Sequence, residues 1–156
     1  MSKSHELRSL QKALRRIVRS LDIQSRKIDR EFGLTLPQLV VLQCVRDLGQ
    51  VTSKAISEQA SLSPPTVVGI LDNLDAKGMI ERYRSAQDRR IVYTRLTSRG
   101  QAVLAEAPSP IGESFDTRFC ALPDETRTAI VASFAEVAAL CEAGLSIPKD
   151  GKQVKI

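Results

Sequence analysis

The chain has 156 residues, 42% hydrophobic and 26% charged, a balance that fits one domain with a sizeable core and excludes both a disordered tail and a multi-domain machine. With 23 Lys and Arg against 18 Asp and Glu the formal charge is +5, which favours a polyanionic partner. One histidine, His5, and three widely spaced cysteines, Cys44, Cys120 and Cys141, supply no His-based triad, zinc motif or disulfide framework, so no enzyme, metal site or cofactor is expected.

The first stretch is charged and amphipathic. Leu7, Leu10, Leu14, Ile17, Leu21 and Ile28 recur at helical spacing, with Gln24 in the missing step, and Lys and Arg fill the other faces. This predicts a long helix ending at Gly33, with an apolar seam that needs a partner surface. The same stretch lacks the apolar centre and cleavage site of a signal peptide, and no run of about eighteen apolar residues exists in the chain, so a cytoplasmic protein without a membrane partner is expected.

Thr35 caps a second predicted helix, with Pro37 in its first turn and Gly49 closing it. Thr52 or Ser53 caps a short third helix whose Ile56 and Ala60 face inward. Ser63-Pro64 is a cap followed by proline at the first helical position, and Val67, Ile70, Leu71 and Leu74 then form one apolar face up to Gly78. Two short helices joined by a tight turn, the second well capped, form a helix-turn-helix pattern.

The runs 79–84 and 91–96 are rich in β-branched and aromatic residues and are separated by the polar loop 85–90, which predicts a hairpin. Between Arg82 and Arg99 six arginines (Arg82, Arg84, Arg89, Arg90, Arg95, Arg99) stand against one acid, Asp88. Helix-turn-helix followed by a basic hairpin is the order of a winged helix. Thr97 opens another helix through Leu104, broken at Pro108 and Pro110. Ile111, Phe115 and Phe119 carry an apolar face onward, and Pro123 starts a last helix with the seam Ile130, Phe134, Val137 and Cys141, ending at Gly144. The expected fold is mainly α with a small β-hairpin wing. Its expected organisation is an N-terminal helix and linking helix (1–51), a winged helix-turn-helix (52–100), C-terminal helices (101–147) and a flexible tail (148–156).

The stretch from Thr52 to Gly100 resembles the MarR family of winged-helix regulators. The residues carrying the resemblance are Leu62-Ser63-Pro64-Pro65-Thr66-Val67, the run from Ile70 to Ile80, Arg82, Asp88-Arg89-Arg90 and Leu96-Thr97-Ser98-Arg99-Gly100. Ser25-Arg26-Lys27, the run from Gly33 to Leu39, and Ala107-Pro108-Ser109-Pro110 are similar to the subgroup that represses ectoine or compatible-solute operons. The resemblance implies a homodimer formed by the terminal helices of 1–51 and 101–147, with 52–100 as the DNA-binding domain gripping a palindromic operator in double-stranded DNA, and an unidentified small-molecule effector. The dimer interface would include Leu7, Leu10, Leu14, Ile17, Phe115, Ile130, Phe134 and Val137.

With Val67, Ile70, Leu71 and Leu74 in the core, Ser63, Pro65, Thr66, Gly69 and Asn73 are left for the major groove. The family often has arginine where this chain has Gly69 and Asn73, so bidentate guanine readout is not expected; Asn73 suits either an adenine or plain solvent. Arg89 and Arg90 at the hairpin tip are expected to enter the minor groove, Arg84 is a further DNA-binding candidate, and Asp88 is expected to brace Arg82 or Arg84. Thr52, Ser53 and Lys54 stand where free backbone N–H groups suit a phosphate, although capping alone explains the hydroxyls. Arg95 and Arg99 fit either phosphate contacts or internal ion pairs. Two rival readings are a protein-binding winged helix whose wing takes an acidic partner, and a redox-sensing regulator of the same fold. Cys44, among Val40, Val41, Leu42 and Val45, reads instead as a packed inert thiol.

Overall fold

A computed structural model of the chain describes residues 2–143, so the predicted helix stop at Gly144 and the tail 148–156 lie outside the described residues. Of the described residues, those up to Gly112 form one compact unit and those from Glu113 to Ala143 a second.

The first unit opens with α1 (Lys3–Phe32), which ends where Gly33 turns left-handed (φ 63°) and donates its N–H to the Asp29 carbonyl. Glycine reaches that conformation without a Cβ penalty, which is why the helix stops there. Its seam divides along its length: Ile28 is fully buried and Leu14 and Leu21 are half-buried, whereas Leu7, Leu10 and Ile17 are exposed. Gln24 fills the missing apolar step with a polar contact, its Nε2 donating to the Ser109 carbonyl at 3.1 Å.

Next comes α2 (Leu36–Leu48), closed at its start by a reciprocal capping box: Gln38 donates its N–H to the Thr35 hydroxyl while the Thr35 N–H donates to Gln38 Oε1. Its apolar residues point in several directions, and Leu39, Val41, Leu42 and Val45 are all buried. A helix apolar on most sides sits at the centre of a core, and α2 packs against α3 (Ser53–Ala60), α4 (Pro64–Ala76) and the hairpin.

Thr52 caps α3 and Ser63 caps α4, with Pro64 at the first helical position. Between them Ser61 turns left-handed, and the buried Ser57 hydroxyl donates to the Leu62 carbonyl to fix the turn. The expected inward face of α4 is observed, with Val67, Leu71 and Leu74 buried and Ile70 packed beside them. Each such aliphatic side chain contributes about 1.5–3 kcal/mol by leaving water.

The hairpin consists of β1 (Ile80–Arg84) and β2 (Val92–Leu96), antiparallel, with Ile80 opposite Leu96 and Tyr83 opposite Tyr93. Val51, just before α3, adds a one-residue bridge: it exchanges both backbone hydrogen bonds with Thr94, at 2.8 and 3.3 Å.

The first unit closes with α5 (Ser98–Glu106). Thr97 caps it by accepting from the Gly100 N–H, and also donates its hydroxyl to the Gly78 carbonyl at 2.7 Å and its N–H to the Met79 carbonyl. Gly100 lies so close beneath Met79 that an added Cβ would sit 2.0 Å from the Met79 carbonyl oxygen. Capping and close approach together give the Thr97-to-Gly100 spacing its physical meaning. The helix ends before Pro108, as the two prolines predict.

In the second unit, α6 (Glu113–Cys120) stacks Phe115 on Phe119 with ring centroids 5.7 Å apart. The following helix, α7 (Asp124–Ala143), begins just after Pro123, and Arg127 ties the connection down by bonding the Leu122 carbonyl and the Asp124 carboxylate.

Candidate nucleic-acid interface

The outer face of α4 is short and polar because the inner face takes every large apolar residue except Val68. Ser63, Pro65, Thr66, Gly69 and Asn73 are all exposed there, as the sequence predicts. The Ser63 and Thr66 hydroxyls share a hydrogen bond of 2.7 Å while Ser63 accepts the Thr66 N–H, so these two groups form one pre-set cap. Around Gly69 nothing lies within 4 Å of where a Cβ would be. The glycine is therefore not required by packing, and it leaves a bare strip of helix open to a close neighbour.

Asn73 is exposed yet tethered. Gln38, only 9% exposed, donates its Nε2 to Asn73 Oδ1 at 2.9 Å. The Gln38 Oε1 accepts from the Thr35 N–H at 3.1 Å and from Lys77 Nζ at 3.3 Å, and Lys77 Nζ also donates to the Gly33 carbonyl at 2.7 Å. Gln38 and Lys77 together thus join the end of α1, the start of α2 and the end of α4. Sequence reading missed Gln38; the glutamine at the third helical position marks a capping box, but nothing local points across to Asn73.

The wing is held at its root and at its tip. At the root, Arg82 bonds Asp72 at 2.8 Å and Asp75 at 3.1 Å, clamping β1 onto α4. Partial burial works against the Arg82 charge, but its hydrogen bonds to Asp75 and Asp72 outweigh that and hold the guanidinium above its ordinary range. Near the tip, the buried Ser85 hydroxyl accepts from the Gln87 and Asp88 N–H groups. Arg84 Nη1 donates to the Arg89 carbonyl at 2.8 Å, which pulls the loop back over the strand end.

Asp88 departs from expectation. It braces neither Arg82 nor Arg84; its Oδ1 accepts the Arg90 backbone N–H at 3.0 Å and Arg90 Nε at 3.1 Å, and Oδ2 accepts Arg90 Nη2 at 3.2 Å. The physical reason is reach: a short acid folds onto the N–H two residues ahead in a turn, whereas Arg82 already faces α4 and its two aspartates. These Arg90 bonds hold the Asp88 carboxyl below its usual pKa. Arg90 keeps its side chain 92% exposed, and Arg89 is exposed with no side-chain partner among the described residues. Arg95 bonds Glu81 across the strands and lies 4.8 Å over the Tyr83 ring, an ion pair within the hairpin.

Thr52 is occupied as a cap, accepting from the Ala55 N–H at 3.3 Å, and Ser53 and Lys54 stand exposed in the first turn of α3. Of the residues expected at a dimer interface, Leu7, Leu10, Ile17, Phe115 and Phe134 are exposed in the single chain and Leu14, Ile130 and Val137 are half-buried. Cys44 is buried, and burial, aided by Asp47, pushes its thiol pKa up, away from the reactive thiolate. Among the described residues no group of His, Cys, Asp or Glu could hold a metal, and no helix is long and apolar enough to cross a membrane.

Comparison with known proteins fits this geometry. Residues 34–92 match the sequence profile of the MarR family. The HTH-type transcriptional regulator FarR of Neisseria gonorrhoeae is 30% identical over 105 residues, spanning 67% of this chain and 69% of that protein. Among solved structures, Bordetella bronchiseptica BpsR, whose DNA binding is regulated by 6-hydroxynicotinic acid, is 26% identical with a TM-score of 0.64 over 83% of this chain and 98% of its own. A mutant MarR from E. coli, complexed with operator DNA, shares the fold at 20% identity and TM-score 0.66, over 88% of this chain and 99% of that one.

Proposed function

This chain belongs to the MarR family of winged-helix, DNA-binding transcriptional regulators, and from that premise we propose that it works as a homodimeric repressor occupying a palindromic operator. The observation that carries the reading is the pairing, within one compact unit, of a bare polar α4 face with a wing that exposes Arg89 and Arg90. A capped helix of this length suits the major groove, and the arginines suit the narrow minor groove beside it.

The homodimer is supported by unpartnered apolar side chains. Leu7, Leu10 and Ile17 on α1 and Val131, Phe134 and Leu140 on α7 lie between 36% and 74% exposed. A second copy would cover them and set two α4 helices about one DNA turn apart. An effector then acts by changing that separation, as a ligand can only through different affinities for the two states. BpsR illustrates such small-molecule control of DNA binding; the effector of this chain is a separate matter of chemistry. The finer placement among repressors of compatible-solute operons rests on the motifs at Ser25, at 33–39 and at 107–110 alone.

The test is selection of bound fragments from random duplexes with purified protein, followed by titration at several salt concentrations and sedimentation of the free protein. A two-fold symmetric site, a steep negative log–log salt slope and a dimeric mass are expected. A monomer, or binding to an acidic protein with no duplex affinity, would overturn the reading.

A further inference from the structure

We infer that Gln38, buried beneath the DNA-facing helix, fixes the polarity of Asn73 and so decides which base edge that asparagine can read. The inference rests on the reading that α4 lies in the major groove. A free asparagine presents both an acceptor oxygen and a donor amide, and can therefore grip adenine through N6 and N7 together. In this chain Gln38 Nε2 holds Asn73 Oδ1 at 2.9 Å, which turns the oxygen toward the buried glutamine and away from that two-pronged grip.

The assignment of oxygen and nitrogen in this pair follows from chemistry. Gln38 Oε1 faces two groups that can only donate, the Thr35 backbone N–H at 3.1 Å and the Lys77 ammonium at 3.3 Å. An amide nitrogen there would meet two donors, so the oxygen must sit on that side and the nitrogen must face Asn73. Asn73 answers with its oxygen and turns its Nδ2 hydrogens outward from an exposed position. A side chain that leads with its amide hydrogens in the major groove matches acceptor edges. Guanine offers two adjacent acceptors, O6 and N7, whereas cytosine offers only its N4 donor there. Gln38 is thus a positioning residue for specificity, setting a guanine preference without touching DNA.

The decisive variant is Gln38→Glu. Glutamate is the ordinary partner in a capping box and keeps acceptors for Thr35 and Lys77, so the fold is retained. A carboxylate cannot donate to Asn73, so Asn73 must rotate its amide, donate inward and present Oδ1 outward. The expected result is a change of preference at one base pair of each half-site, from guanine to a base with an amino donor, cytosine or adenine, by about fivefold, the ratio of one net hydrogen bond. Selection from random duplexes is run with the full chain, with Gln38→Glu, with Asn73→Ala and with the double variant. Asn73→Ala is expected to flatten the preference at that pair, and the Gln38→Glu change to vanish in its background. Identical selected sites for wild type and Gln38→Glu, or a Gln38→Glu change that persists without Asn73, would overturn the inference. A wild-type protein that selects no site at all would instead count against the DNA-reading role of α4.

Discussion

Gly100 and Met79 meet at a distance that only a missing side chain permits: a Cβ on the glycine would lie 2.0 Å from the Met79 carbonyl oxygen. This contact seats the start of α5 against the start of β1, and the Met79 carbonyl also receives the Thr97 N–H. Gly100→Ala must therefore push backbone against backbone, and a cost above about 2 kcal/mol is expected. Urea unfolding checks it, with Ser98→Ala, at an exposed position, as the near-neutral control.

Gly69 gives the opposite result. Its Cβ position is open and its backbone is helical, so Gly69→Ala is expected to stabilise the fold by about 0.5–1 kcal/mol. Gly69→Glu keeps a good helix former but brings a negative charge to the strip proposed to face DNA, and duplex affinity is expected to fall more than about tenfold with stability intact. Wild-type affinity in that variant would remove α4 from the interface.

The wing arginines separate by salt dependence. Arg89 has no side-chain partner among the described residues, whereas Arg90 is held by Asp88. Arg89→Ala is expected to reduce the log–log salt slope of duplex binding by about one, the contribution of one phosphate contact. Asp88→Asn keeps an acceptor for the Arg90 N–H but removes the competing charge. It is expected to raise affinity for random duplex and steepen the slope by about one.

The wing tip should be indifferent to pH near neutrality. The Asp88 carboxyl is held below its ordinary value by Arg90, so its contribution to the turn is present above the unfolded-state pKa and is lost as pH falls through the lower folded-state value. The chemical shift of the Arg90 amide, bonded to Asp88 Oδ1, is expected to stay flat from about pH 8 to 5 and to move only below the usual carboxylate range. A midpoint at or above that range would break the Asp88–Arg90 assignment.

Local chemistry made most of the fold readable. Thr35, Thr52, Ser63 and Thr97 each cap the helix they precede, because a hydroxyl reaching an N–H three residues ahead is a short-range signal. The core face of α4 and the hairpin followed from period and composition in the same way. Contacts that join distant segments were not legible. Gln38 and Asn73 are 35 positions apart, and Arg82 chose aspartates of α4 over the nearby Asp88. The exposed polar face of α4 was thus visible in sequence, but the layer beneath it was visible only in three dimensions, since no periodicity encodes which buried amide lies under which exposed one.

The Val51–Thr94 bridge carries a mechanical consequence. By trading both backbone hydrogen bonds, the lead-in to α3 and the second strand of the wing are stitched into a single stiff block. Swinging the wing away from α3 would break both bonds, at a cost of about 1–3 kcal/mol. In a two-copy assembly the cheap adjustable quantity is then the gap from one block to the other, like the jaw setting of a pair of callipers.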